Sequence, residues 1–529
     1  MLETSLQYDV IVIGGGPGGA MAATLLADYG KQVLVLESER FPRYHIGESL
    51  IAGTVDLLRR IGVLDRMESA GFIKKYGVQW VWGENREPWT VYFKDALTMV
   101  YGHTYQVERG QFDKMLLDNA AEHGADVREE HKVVDFDLSP DDVSTVDFVD
   151  PSGTRHRARA RWIVDASGQG GVVSNRLHKR EWDPFLKKNM AVWTYWKNAE
   201  RPTGLDAGNT FLPSFEDGWW WFIPLSNDIT SVGMVVDTSV LQEYRDSGME
   251  SYYAKCLAAT PELAARLQDA EQVEDIKVAR DWSYAFERFS GDGYIAVGDA
   301  ACFIDPLFST GVHLALLSGF LGAVTINTIL DKTEIDRHKV LDFYERTYRA
   351  EFSRLRDQVY VLYSGQGGGK ESYFWHARNK FEVPGITPEK AFISLIAGAF
   401  AHRPWYGRYL DQLDIPSSLR DAIEDVFAGN STGIGVDPGE LVCKYRDIAV
   451  NDDFAIDGEY LRAAQSVVGS VGVPLALTPA MESVLAMADG STSSADLVDR
   501  LIESGDHQPD PARRLVHEAI SYGLIVPQS

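Results

Sequence analysis

Apolar and polar positions change their rhythm several times along the chain, and each change marks a new element. Asp9 to Ile13 (DVIVI) is a β-branched run that stops at Gly14, Ala20 to Tyr29 is an Ala/Leu-rich helical stretch, and Gln32 to Leu36 is strand-like again, closing at Glu37. Strand, helix and strand at this spacing predict a βαβ unit. From Lys132 to Trp162 apolar and polar residues alternate, with turn signals at Ser139-Pro140 and Pro151-Ser152-Gly153, which predicts an antiparallel meander. A strand at Trp162 to Val164 ends in Asp165-Ala166-Ser167-Gly168. Met190 to about Ser283 reads mostly as strand, is rich in tryptophan, and is expected to form a second sheet with one face on a substrate pocket. Tyr294 to Val297 returns to the first sheet and runs into Gly298-Asp299; a long helical stretch follows to about Leu362.

Beyond Cys443 three short helices are expected, opening at Leu477-Thr478-Pro479 and covering Thr492 to Glu503 and Pro511 to Tyr522, before a closing Leu524-Ile525-Val526. That pattern suggests a winged-helix-like appendage, with a packing or dimer module as the alternative. Gly365 to Lys370 (GQGGGK) is no phosphate loop, because the GxxxxGK[ST] spacing is absent and Glu371 follows the lysine.

Composition narrows the choices. The 529 residues carry 51 Lys+Arg against 77 Asp+Glu, a formal charge of −26. Such a balance repels nucleic acid and anionic membrane surfaces. Cys256, Cys302 and Cys443 lie far apart with no CxxC pair, which excludes a disulfide scaffold or a cysteine zinc site and predicts a reduced chain. Met1 to Tyr8 lacks the profile of an export signal, so a cytoplasmic location is expected. Gly311 to Ile326, the longest apolar run, contains His313 and is expected to be a buried helix. No HExxH, GxSxG or metal-spaced histidine cluster occurs, so metal-assisted hydrolysis and α/β-hydrolase chemistry have no support and no metal is expected.

Gly14-Gly15-Gly16-Pro17-Gly18-Gly19 matches GxGxxG between a strand and a helix. Gly14 permits the tight turn, Gly16 lets backbone approach a pyrophosphate, and Gly19 lets helix and strand pack, while Glu37 is placed for ribose hydroxyls. FAD and NAD both use this turn. The discriminator is Tyr294 to Pro306 (YIAVGDAACFIDP), whose Gly298-Asp299 pair suits a flavin's ribityl chain, with Arg109 in Val107 to Asp113 (VERGQFD) on the diphosphate side. Together with Asp165 to Gly168, these segments resemble the FAD-binding fold of the para-hydroxybenzoate hydroxylase type over residues 7–365. The implied fold class is α/β: a Rossmann-like FAD-binding domain, an antiparallel-sheet substrate domain and a small helical, winged-helix-like C-terminal domain. Its expected segments are 1–189 (FAD part, with the meander 132–162), 190–283 (substrate sheet), 284–365 (second FAD part), 366–442 (helical) and 443–529 (appendage).

Trp219-Trp220-Trp221-Phe222-Ile223-Pro224 fits WxWxIP, the pattern of flavin-dependent halogenases. Phe41 to Ser49 (FPRYHIGES) and Asp305 to His313 (DPLFSTGVH) also resemble segments of that family. The resemblance implies that reduced FAD reacts with O2 to give a flavin hydroperoxide, which chloride or bromide attacks to form hypohalous acid. Trp219, Trp221 and Pro224 would then wall the organic substrate off from the flavin, and Thr310 and Gly311 would hold the halide. The family's lysine region matches Gly71 to Val78; alternation lets only one of Lys74 and Lys75 point inward, and the family pattern favours Lys75 as the group that holds the hypohalous acid.

Glu48 is the expected group for proton traffic, or else a hydrogen-bonding support of the local backbone. Asp281, in Asp281-Trp282-Ser283-Tyr284, sits where an ester to the flavin's dimethylbenzene edge is conceivable. Tryptophan-type members carry a glutamate before Ser-Thr-Gly, whereas this chain has Phe308, which implies the phenol/pyrrole branch with substrates free or tethered to a carrier protein. With no second GxGxxG turn, a separate flavin reductase is expected to supply reduced FAD. The expected role is natural-product biosynthesis, such as that of an antibiotic. An aromatic monooxygenase on the same scaffold is the alternative, and a non-catalytic flavin-binding module is a third reading.

Overall fold

A computed structural model describes residues 6–365, apart from 83–85, 87, 94–101, 140–142, 187–188, 239–247 and 281–282, and much of 441–527. The chain divides into two units, Met1–Glu382 and Val383–Ser529.

In the first unit, strand Leu6–Ile13 lies between Val33–Leu36 and Arg155–Asp165, parallel to both. Val10 to Ile13 are buried, as a strand covered on both faces requires. Arg155–Asp165 serves two purposes. Its first half pairs antiparallel with Ser144–Val149 as the end of the meander, and its last residues pair parallel with Tyr294–Ala296. The separate strand expected at Trp162 is therefore the continuation of the meander.

Helix Pro17–Asp28 packs on helix Gly311–Asp331, where a Cβ on Gly319 would lie 2.4 Å from the Gly18 carbonyl oxygen. Only glycine allows that approach. Helix Gly311–Asp331 is long and apolar enough to cross a membrane, but 83% of its most apolar stretch is buried in this fold. A second helix, Arg337–Gly365, follows it.

The second sheet runs in the order Glu271–Gln272, Asn189–Lys197, Ile229–Asp237, Gly218–Pro224, Thr210–Phe215, Gly77–Val81, Trp89–Tyr92. All its pairings are antiparallel except Thr210–Phe215 with Gly77–Val81. Two helices that the strand-rich reading of this region did not anticipate, Met249–Ala258 and Pro261–Arg266, cover its back. There Trp220 and Phe222 join Tyr252, Tyr253, Cys256 and Leu263 in one core, and Trp220 Nε1 donates to Thr260 Oγ1 at 3.0 Å. A separate two-stranded ladder pairs Ile73–Lys75 with Thr104–Gln106, the two strands that flank Gly77–Val81 and Trp89–Tyr92 in sequence.

The C-terminal unit holds helices Pro479–Met487 and Ser494–Glu503 beside a three-stranded sheet of Leu441–Lys444, Asp489–Ser493 and Ile525–Pro527. It also contains a hairpin, Ala449–Asp457 with Tyr460–Val468, that the helical reading missed. Most of the helix expected over Pro511 to Tyr522, and residues 366–370 of the glycine-rich stretch, lie outside the described residues.

Candidate active site

A cavity of about 620 Å³ runs from the Gly14–Gly18 turn to the front of the second sheet, where Trp193, Trp219, Trp221 and Ile223 line it. This is the crevice beyond the carboxyl ends of parallel strands where α/β folds bind ligands, and its volume falls in the range of cofactor sites.

The nucleotide end is shaped by backbone. Gly14 has φ +103°, and a Cβ there would lie 2.3 Å from the Ala166 carbonyl oxygen. Gly16 lines the cavity, and a Cβ there would lie 3.6 Å from Arg43 Nη2. A Cβ on Gly19 would lie 2.0 Å from the Gly14 carbonyl oxygen, so its absence lets the helix seat on the turn. Buried Glu37 accepts the Gly15 N–H at 2.7 Å and the Glu39 N–H at 2.8 Å, which fixes its carboxylate at the cavity wall.

Arg109 is held by Asp113 at 2.8 and 3.0 Å and donates to the Ile46 carbonyl oxygen at 2.7 Å. Asp299 follows Gly298 on the same wall, and burial pushes its carboxyl up to about 7 against the pull of Arg109. Asp165 lies outside the cavity lining and accepts the N–H groups of Val173 and Ser174 at 2.8 and 2.9 Å, anchoring the next loop. Asp281 lies outside the described residues. Turn, fixed acid, fixed guanidinium and cavity volume together fit FAD.

Alternation along Gly218–Pro224 sends Trp219, Trp221 and Ile223 to the cavity and Trp220 and Phe222 to the core behind. Pro224, expected in the wall, falls on the alternate face; Ile223 takes that place. Trp221 and Trp193 stand on either side of Gly233 in the register of three adjacent strands. A Cβ on Gly233 would lie 2.2 Å from Trp221 Cζ2 and 2.4 Å from Trp193 Cβ, so the bare glycine lets the indole lie across the strand. Trp221 Nε1 donates to Ser231 Oγ at 3.2 Å. Trp219, 1% exposed, donates to Tyr363 Oη at 2.7 Å, and that hydroxyl lies 3.1 Å from both carboxylate oxygens of Asp305.

Lys75 and Lys74 point to opposite sides. Lys74 is half-buried and pairs with Glu68 at 2.9 Å. Lys75 is 1% exposed and donates to Ser49 Oγ at 2.8 Å and the Leu50 carbonyl oxygen at 3.0 Å. Burial lowers its amine to about 7. Ser49 and Thr210, 3.0 Å apart through their hydroxyls, both line the cavity, so Lys75 sits one hydrogen bond behind its surface. Phe93 lies on the lysine's other side, its ring centre 5.6 Å from Nζ.

Glu48 is 3% exposed and accepts the Tyr195 hydroxyl at 2.6 Å. Burial pushes its carboxyl up to about 7; Tyr195, Ser231 and Arg109 pull it down by less. Ser309 has φ +58°, and Thr310 caps helix Gly311–Asp331. The Thr310 hydroxyl is buried with no hydrogen-bond partner among the described residues, and Gly311 lines the cavity. Phe308 is buried and meets Trp80 edge-on, ring centres 6.1 Å apart.

Tyr195, Tyr44, Ser49, Thr210, Tyr363 and Gly233 escape the motif reading. Ser49 follows Glu48 within a quoted segment, and a glycine inside the strand Ser231-Val232-Gly233-Met234 marks a close approach, so both left a signal. Tyr363 left none, because its contacts span 144 residues to Trp219.

A dinucleotide crevice faced by an indole-lined sheet, with a buried lysine behind it, is the arrangement of an α/β flavoprotein. Residues 9–100 and 94–401 match the tryptophan halogenase family. The chain belongs to this family of flavin-dependent halogenases, enzymes that use FAD and a halide. It is 35% identical to tryptophan 2-halogenase of Chondromyces crocatus over 372 residues, 70% of each chain. It is 37% identical to the sulochrin halogenase of Aspergillus terreus over 346 residues, 60% of this chain and 63% of that one. Among solved structures, the flavin-dependent halogenase CmlS covers 99% of this chain and 96% of its own at a TM-score of 0.81 and 31% identity. The myxobacterial chondrochloren halogenase CndH covers 74% and 90% at a TM-score of 0.68 and 39% identity. The family implies an aromatic substrate and a separate flavin reductase.

Proposed function

We propose that this chain chlorinates or brominates an electron-rich phenol or pyrrole, free or carrier-bound, in natural-product biosynthesis in the cytoplasm. The observation that carries the reading is Lys75, a buried amine one hydrogen bond behind the flavin cavity, with the indoles of Trp219 and Trp221 on the cavity side. Reduced FAD, when bound, supplies two electrons to O2 and so makes an oxygen that a halide can attack.

In this reading Gly14, Gly16, Glu37, Arg109 and Asp299 hold the cofactor. Thr310 and Gly311 hold the halide at the N-terminus of helix Gly311–Asp331, where Gly311 lines the cavity and the buried Thr310 hydroxyl has no hydrogen-bond partner among the described residues. The tryptophans exclude a ring but admit a small anion. Lys75, hydrogen-bonded to Ser49 at the cavity surface, would hold the hypohalous acid there and orient its halogen toward the ring. An amine lowered to about 7 can act near neutrality either as a hydrogen-bond donor or as a nucleophile toward halogen. Phe308 offers no carboxylate to steady a cationic ring, so the substrate must be activated by its own heteroatom.

The test supplies reduced FAD, O2, bromide and a simple phenol and records product mass. A bromine isotope pair supports the reading, and an added oxygen identifies a monooxygenase instead. Lys75→Ala should abolish bromination while FAD still binds; bromination retained by that variant rejects the lysine's role.

A further inference from the structure

The halogenation reading, on which this inference rests, carries a proton requirement. Reduced FAD (FADH2), O2, a halide anion, an aromatic C–H and one proton become FAD, an aryl carbon–halogen bond and two waters. The O–O and C–H bonds break, the carbon–halogen bond forms, O2 takes two electrons from the flavin and two from the halide–arene pair, and one proton per turnover must come from solvent. Each turnover therefore needs one proton delivered into the cavity.

One continuous chain of hydroxyls reaches the buried side of the cavity. The Tyr195 hydroxyl lies 2.6 Å from Glu48 Oε1 and 3.0 Å from the Tyr44 hydroxyl. Tyr44, which is 51% exposed, lines the same cavity at its accessible rim, and its oxygen also accepts from Trp193 Nε1 at 2.7 Å. Donor accounting sets the direction. Tyr195 has one proton and two acceptors in reach, so with Glu48 ionised that proton is held by the carboxylate. With Glu48 protonated it can turn to the Tyr44 hydroxyl, which is the switch a relay requires. Glu48 Oε2 has no hydrogen-bond partner among the described residues, and Glu48 lines the cavity.

We propose that Tyr44, Tyr195 and Glu48 form a proton path from solvent to the flavin cavity, with Glu48 as its inner terminus and the tyrosines as relay groups. The groups facing Glu48 are Tyr195 and Ser231 on the sheet and Arg109 and Glu108 at the start of helix Arg109–Glu122; Glu274 and Lys277 stand near Tyr44. Burial brings Glu48 to about 7, where it can both take and release a proton near neutrality. Replacing a phenol by phenylalanine cuts the chain while keeping the ring.

The test uses the oxidised FAD-loaded protein without halide or substrate. The infrared carbonyl band of protonated Glu48, assigned by its loss in Glu48→Gln, is followed after rapid mixing from H2O into D2O. Exchange in the unaltered protein should be fast, and Tyr195→Phe should slow it about tenfold or more. Tyr44→Phe, at an exposed position that does not threaten folding, should slow it in the same direction. Exchange at the unaltered rate in both variants overturns the path. Tyrosine-dependent exchange in a protein that never incorporates bromide would sustain the path and reject the halogenase reading, whereas bromination with tyrosine-independent exchange would reject the path alone.

Discussion

Replacing Lys75 with methionine should make the protein more stable near neutral pH while removing halogenation. The amine is buried, and its fall from the ordinary 10.5 to about 7 amounts to a penalty of about 5 kcal/mol against the ammonium. Methionine keeps the stem's bulk and removes the charge. Lost with it are the hydrogen bonds to Ser49 and the Leu50 carbonyl, about 1 kcal/mol each. The net gain at pH 6–7 is about 3 kcal/mol.

The sign follows from proton counts. Between pH 7 and 10.5 the unfolded lysine holds a proton that the folded one has released, so the unaltered protein gains stability as pH rises through that window. Lys75→Met lacks this gain, and the advantage of the variant should shrink by about 2.5 kcal/mol between pH 7 and pH 9. Urea unfolding of both proteins, followed by tryptophan fluorescence through the first transition at several pH values, measures the difference; other titrating groups cancel in it. A difference that stays flat with pH, or a methionine variant less stable throughout, would refute the reasoning.

Gly233→Ala should lower stability by about 1–3 kcal/mol, because its methyl would enter the space of Trp221 and Trp193, and thermal melting checks this. Tyr363→Phe leaves the buried Trp219 indole N–H without its acceptor and should cost about 1–3 kcal/mol, measured in the same way; an unchanged melting temperature would show that the latch is idle.

The cofactor half of the molecule was largely legible in the sequence, because backbone constraints leave local marks. Gly14 needs a positive φ and Glu37 ends a strand, and both stand at fixed offsets within one βαβ unit. Period two put Lys74 and Lys75 on opposite faces, and the family pattern picked out Lys75, Trp219 and Trp221; the structure shows the same alternation sending Trp220 to the core behind. Pro224 was misplaced because its motif was taken as a block; the same alternation puts it on the other face. The links between elements left no comparable mark. Tyr363 reaches Trp219 and Asp305 from the last turn of helix Arg337–Gly365, and Tyr195 meets Glu48 across 147 residues of chain. Helices Met249–Ala258 and Pro261–Arg266 were read as strand because Tyr252, Tyr253 and Cys256 are β-favouring residues whose burial is set by the sheet they cover.

Whether the tryptophans reserve the activated oxygen for a small anion is read most directly from products. Trp221→Ala and the unaltered protein are each given reduced FAD, O2, bromide and a phenol they accept, and brominated and hydroxylated products are weighed by mass spectrometry. The unaltered protein should yield only the brominated ring, and the variant should divert turnover to the hydroxylated ring or to hydrogen peroxide. A variant that brominates with undiminished yield and adds no oxygen would contradict the role given to the wall.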